Sequence, residues 1–177
     1  MVRNSDDKLL LAFNATIDQW ITALDGYTLE TLCRKPRPGS WSMGQVYVHI
    51  MNDTGYFVEQ VRECLQNNGT NAEKDMHADA KAIFRNNGFP DITITGPATD
   101  DSVPQPPSIE IIKQTLVSIR EEANRLHASF DFSAAAGKTQ HPGLLFFSAS
   151  EWLRFAEMHM RHHFRQKKRI EAALAAS

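Results

Sequence analysis

Between positions 109 and 130 the chain places Ile109, Ile112, Leu116, Ile119, Ala123, Leu126 and Phe130 at alternating steps of three and four residues, without a break. Such steps put all seven side chains on one face of an α-helix and would scatter them over both faces of a strand. A helix with so continuous an apolar stripe must bury it against partner elements, and three further segments of the same periodicity supply them.

The first of these carries Leu10, Phe13, Ile17, Trp20 and Leu24. Ser5 is its expected N-cap, Asp6 and Asp7 complement its positive end, and it stops near Asp25-Gly26. The second opens at Ser42, whose spacing to Gln45 is that of a capping box, carries Val46, Ile50, Phe57 and Cys64, and ends at about Asn67-Asn68-Gly69. The stripe from Ile109 is the third, opened by Pro106-Pro107-Ser108. The fourth opens at a second capping box, Ser148 to Glu151, carries Trp152, Ala156, Ile170 and Ala173, and runs nearly to the C-terminus.

Roughly forty residues separate helices two and three, far more than a helical hairpin needs. Five of the eight prolines (Pro90, Pro97, Pro104, Pro106, Pro107) fall in the second half of that connection, which cannot be continuous helix. Its first half, Ala72 to Phe84, spaces Met76, Ala80 and Ile83 for one short extra helix. So long a crossover lets helix three run parallel to helix two, while the shorter links on either side reverse the chain. The expected fold is all-α, an up-down-down-up four-helix bundle formed by residues 1–177 as a single domain, a length that suits one core. The segment Gly137 to Phe147 is expected over one end of the bundle, with weak support for a β-hairpin.

Lys and Arg number 19 against 21 Asp and Glu, a net charge of −2, which gives no global electrostatic case for nucleic acid or an anionic membrane. The local basic run Arg161, Arg165, Lys167, Lys168, Arg169 reads as a solvated helix face near the negative helix end. Arg154 and Arg161 bracket a histidine pair and are candidates to guide an anionic substrate. Cys33 and Cys64, 31 residues apart, build neither a disulfide framework nor a cysteine zinc site and are expected as buried thiols. The longest apolar run near the N-terminus, Leu9 to Phe13, is too short for a signal peptide or a membrane span, so a cytoplasmic protein is expected.

The seam of the fourth helix turns polar in its middle: Trp152, Ala156, His159, His163, Gln166, Ile170. His159 and His163 stand about 40° apart around the axis and one turn along it, so their imidazoles can converge on one point. Helix two is interrupted in the same way, with Asp53 between Ile50 and Phe57 and His49 one turn earlier. Unpaired polar groups in a bundle core cost about 1–3 kcal/mol each, and a divalent metal held by His49, His159 and His163 would satisfy them. Asp53 or Gln166 would then orient a ligand from behind. His162 competes with His163, because a three-residue spacing from His159 also shares a face. His77, His127 and His141 lack partners at a suitable spacing, although the loop carrying His141 precedes the fourth helix and can fold over a metal.

Trp41-Ser42-Met43-Gly44-Gln45 followed by His49, and Glu151-Trp152-Leu153-Arg154 leading to His159-x-x-His162-His163-x-x-Gln166, resemble the DinB-like superfamily of metal-binding four-helix proteins. The resemblance spans Trp41 to the C-terminus. It implies an up-down-down-up bundle and a metal triad of His49 with His159 and His163, His162 standing outside. It also implies Zn²⁺ first among the divalent ions, with Ni²⁺, Mn²⁺ or Fe²⁺ as alternatives, and chemistry of the thiol S-transferase or hydrolase kind on a small molecule, such as a low-molecular-weight thiol. Dimerisation is a further expectation it brings. No residue stands out as a general base, and Asp53 is the nearest candidate. The competing reading is a non-enzymatic scaffold, its metal structural or absent, that dimerises or binds small molecules.

Overall fold

A computed structural model of the chain describes residues 5–90 and 103–176. Four long helices form its frame: α1 (Ser5–Ala23), α3 (Met43–Gln66), α5 (Ile109–Ser129) and α6 (Ala149–Ala175). Two shorter helices, α2 (Leu29–Cys33) and α4 (Ala78–Arg85), and a hairpin of β1 (Lys138–His141) with β2 (Leu145–Ser148) complete it. The matching segment of Pro97 lies outside the described residues.

Start signals behave as their chemistry dictates. At both Ser42 and Ser148 the hydroxyl accepts from the backbone N–H three residues on, and the side chain of Gln45 or Glu151 reaches back, satisfying two of the donors a helix start leaves free. Ser108 caps α5 by accepting from the Ile111 N–H. Ser5 does not cap α1. It is the first helical residue, and the cap position before it lies outside the described residues. A 3₁₀ turn, Leu24–Gly26, closes α1 where Asp25-Gly26 predicted a stop.

Side-chain pairs fix the direction of each helix. Along α1 and α5, Asn14 meets Asn124, Asp18 meets Arg120 and Asp25 meets Lys113, so those two helices run antiparallel. Along α1 and α6, Asp6 meets Ser150, Thr16 meets Glu157 and Tyr27 meets Glu171, so they run parallel. His49 meets His163 while Phe57 stacks near Trp152 and Phe155, which makes α3 antiparallel to α6. Arg62 of α3 binds Glu122 of α5, and Gly44 lies against Pro106, which makes them parallel. The long helices therefore go up, down, down, up, and the crossover through α4 is what allows α3 and α5 to point the same way.

The stripes fill the core. Phe13, Ile17, Trp20, Val46, Ile50, Ile112, Leu116, Leu126, Trp152 and Ala156 are fully buried. Leu10 and Ile109, near the starts of their helices, are only half-buried, and two predicted stripe positions are exposed. Phe130 follows the last turn of α5 and is 36% exposed, and Ala173 is exposed where α6 outruns its partners. Cys64 is buried under the hairpin, whereas Cys33 is only half-buried, and both thiols are free. The hairpin forms, its strands pairing from Lys138↔Ser148 to His141↔Leu145, and covers the end of α3 where Thr139 lies beside Cys64.

Candidate metal centre

Three imidazoles from two helices meet in the α3–α6 interface. His163 Nε2 lies 3.2 Å from His49 Nε2 and 3.2 Å from His159 Nε2, and one nitrogen of each ring falls within 4.8 Å of the others. His49 comes from the second turn of α3 and the pair from the middle of α6, where the antiparallel packing sets them level. His163 is buried, and His49 and His159 are half-buried at the edge of the interface.

The neighbours of the rings decide their tautomers. Gln166 Oε1 can only accept, so His163 Nδ1, at 2.8 Å, carries the proton and leaves Nε2 as a lone pair. His49 Nδ1 faces Asp53 Oδ1 at 3.6 Å, which favours the proton there and again a lone pair on Nε2. Two lone pairs 3.2 Å apart repel unless a cation lies between them, and burial keeps protons from supplying it. His163 is pushed down to about 3 by burial and by the neighbouring His49, His159 is held well below the usual histidine range by burial and by His163, and burial lowers His49 despite the opposing charge of Asp53. Neutral imidazoles with converging lone pairs are the donor set a borderline divalent ion takes. His159 Nδ1 is buried without a hydrogen-bond partner.

Asp53 occupies the rim. Its second oxygen lies 3.6 Å from His159 Nε2, and burial raises its carboxyl above the usual range while His49 opposes the shift. Aromatic rings form the walls. Trp41 leans on His49 with centroids 5.4 Å apart, Phe57 presents its edge to His159 at 5.5 Å, and Phe89 contacts both His159 and His162.

Spacing leaves His162 against His163, the family resemblance places His163 in the triad, and in the structure it is His163 that meets the other two. His162 Nδ1 accepts from Arg165 and its ring packs on Phe89, away from the three converging nitrogens. His141 does not join the group: it stacks on Trp152, its Nδ1 accepts from the Gly143 N–H, and the Phe57 ring contacts it on one side and His159 on another. His77 caps α4, and His127 pairs with Asp7. Arg154 and Arg161 do not line the triad. Both turn to the crossover, Arg154 to the Phe84 carbonyl and Arg161 to the Asn87 carbonyl. In the sequence Phe57 reads as a core position of its stripe and Trp41 as a packing anchor at a helix start, but the walls that Trp41 and Phe89 form around the imidazoles go unread. Trp41 precedes the helix and Phe89 sits in the crossover, so neither has a period to betray it.

Comparison with known proteins agrees with the fold. The family model described as the DinB superfamily matches residues 12–166. The crystal structure titled TT2238, a four-helix bundle protein, superposes with a TM-score of 0.59 over 98% of this chain and 100% of its own, at 17% identity. At that identity the likeness speaks for the fold alone. No curated protein matches the chain significantly.

Proposed function

The chain belongs to the DinB superfamily, and from that premise we propose that it is a metal-dependent enzyme in which His49, His159 and His163 hold a divalent ion, zinc before nickel, manganese or iron. The observation that carries this reading is the meeting of three imidazole nitrogens, with the far sides of His163 and His49 set by Gln166 and Asp53. Such an ion, when bound, lowers the pKa of a water or holds a thiol as thiolate, which suits thiol transfer or hydrolysis on a small molecule. Gln166 holds His163 in one tautomer and orientation. Asp53, on the rim and within reach of the His159 nitrogen, takes up the proton that a thiol or water releases. Trp41, Phe57 and Phe89 exclude water from the imidazoles. A reducing, cytoplasmic setting and a homodimer belong to the same proposal.

Elemental analysis of the purified protein beside His49→Ala and His159→Ala tests it. The wild type is expected to carry close to one equivalent of metal and each variant far less, and equal metal content in all three would exclude the site. Incubating metal-loaded protein with a panel of biological thiols and a chromogenic electrophile separates thiol transfer from hydrolysis.

One observation favours a structural metal as a second reading: the Asp53 oxygen 3.6 Å from His159 Nε2 is near enough to close a four-ligand sphere after a small side-chain shift. Asp53→Ala distinguishes the two. A catalytic Asp53 leaves metal content intact and abolishes conjugation or hydrolysis, whereas a fourth ligand takes much of the metal with it.

A further inference from the structure

α6 carries a second polar face. At about 100° per residue, Ser150, Arg154, Glu157 and Arg161 lie on the flank opposite His159 and His163. With the start of α1 and the end of α4 they line a cleft of about 610 Å³, a volume typical of small-molecule sites. Three anionic groups (Asp6, Glu151, Glu157) and three cationic ones (Lys8, Arg154, Arg161) line it, so the cleft has no net charge to favour an anion or a cation.

These charges are not all paired with one another. Glu157 and Arg161 neutralise each other through bonds of 2.8 and 3.0 Å, and Glu151 is occupied by the Ser148 N–H it caps. Asp6 is only 9% exposed, yet its side-chain partner is the neutral Ser150 hydroxyl, which donates to Oδ1 at 3.1 Å. Arg154 uses Nη2 alone, on the Phe84 carbonyl at 2.7 Å and on Asn87 Oδ1 at 3.1 Å, while its guanidinium lies 5.3 Å from the centre of the Phe84 ring. Among the described residues Asp6, Arg154 and Lys8 have no ion-pair partner; Lys8 is exposed, so the enclosed carboxylate and the guanidinium are the two groups held in place.

Ser150, which holds Asp6, and Arg154 are one turn apart on α6, about 6 Å along its axis. A carboxylate and a guanidinium without ionic partners among the described residues therefore line one cleft. Leu9, Ala12, Met76 and Phe84 form its apolar wall, where the Met76 thioether suits an aromatic or long apolar guest while the Phe84 ring lies under Arg154. We propose that this cleft binds a zwitterion of the α-amino-acid class with an aromatic or long apolar side chain, its ammonium on Asp6 and its carboxylate on Arg154. The site is independent of the metal centre and of the activity proposed for it.

Titration of the full chain with L-phenylalanine, phenethylamine and 3-phenylpropionate, followed by calorimetry and by backbone amide shifts, tests the assignment. L-phenylalanine is expected to saturate and to shift amides near residues 6–9, 84–87 and 150–154, with each singly charged analogue binding at least about tenfold more weakly. Asp6→Asn keeps the shape of the side chain and the acceptor for Ser150. It should weaken L-phenylalanine and phenethylamine about tenfold and leave 3-phenylpropionate unchanged, while Arg154→Gln weakens L-phenylalanine and 3-phenylpropionate and leaves phenethylamine unchanged. If Arg154→Gln does not fold, Asp6→Asn with the three probes decides alone. The proposal is overturned if L-phenylalanine shows no saturable binding below about 10 mM, if either analogue binds as tightly as the amino acid, if Asp6→Asn binds all three probes like the wild type, or if the shifted amides cluster around the three imidazoles instead.

Discussion

His163 has each ring nitrogen assigned by a different neighbour, Nδ1 by the Gln166 amide oxygen and Nε2 by the two imidazoles it faces. Gln166 lies one turn further along the same helix, so a substitution there changes the orientation of the ring without touching the donor atoms. Gln166→Leu removes the acceptor and is expected to weaken metal binding about 10- to 100-fold at unchanged helix content, read by competition with a chromophoric chelator. Unaltered affinity would show that packing alone orients the ring. The triad was legible because its members interrupt apolar stripes at helical spacing. His162 was not separable from His163 by spacing, since steps of three and four share a face; the family resemblance pointed to His163, and the rotation of α6 against α3 and the crossover is the physical reason for it.

At the scale of elements, caps carried more information than stripes. Ser42, Ser108 and Ser148 each open a helix, because a hydroxyl at that position answers a backbone donor whatever the tertiary context. Helix α2 passed unread: its five residues are too few for a period, although Thr28 and Thr31 cap it reciprocally. The hairpin depends on contacts no local pattern records. At its approach to α3, a Cβ on Gly137 would stand 2.4 Å from the Cys64 carbonyl oxygen and 2.7 Å from that of Asn67, both backbone atoms that cannot swing aside. Gly55, inside α3, would meet only the Ile119 side chain, its Cδ1 at 3.6 Å, an ordinary contact. Chemical denaturation should therefore show Gly137→Ala destabilised by about 1–3 kcal/mol or more, and Gly55→Ala stabilised by up to about 1 kcal/mol. Like effects from the two would remove the steric argument.

Across the whole molecule, the imidazoles join α3 to α6, the two helices in most extensive contact, at a point where a metal-free protein must keep three neutral rings together. In the unfolded chain these histidines take up protons near pH 6.5, whereas burial holds His163 at about 3 and the other two below their usual range. The unfolded state therefore binds more protons over that interval, and the metal-free protein loses stability as pH falls from about 6.5 toward 3. Melting of chelator-treated protein at pH 7 and pH 5 should give the lower Tm at pH 5, and an equal or higher one would contradict buried neutral imidazoles. Saturating zinc at pH 7 should raise Tm, by about 2.7 kcal/mol of added stability at a hundredfold excess over Kd, in the wild type and not in His49→Ala.

The four long helices, their caps and the polar interruption of two seams were properties of the sequence by itself, because hydrogen bonding and apolar spacing within a helix are local. Direction followed almost as directly, since a connection of that length leaves parallel packing of α3 and α5 open and short ones do not. What the tertiary structure decided is everything that depends on the rotation of one helix against another: the choice of His163 over His162, the turning of Arg154 and Arg161 away from the imidazoles, and the half-exposure of Cys33. It also paired Glu157 with Arg161 while leaving Asp6 and Arg154 of the same cleft without ionic partners among the described residues. Spacing fixes which side chains share a face. Only packing fixes what that face meets.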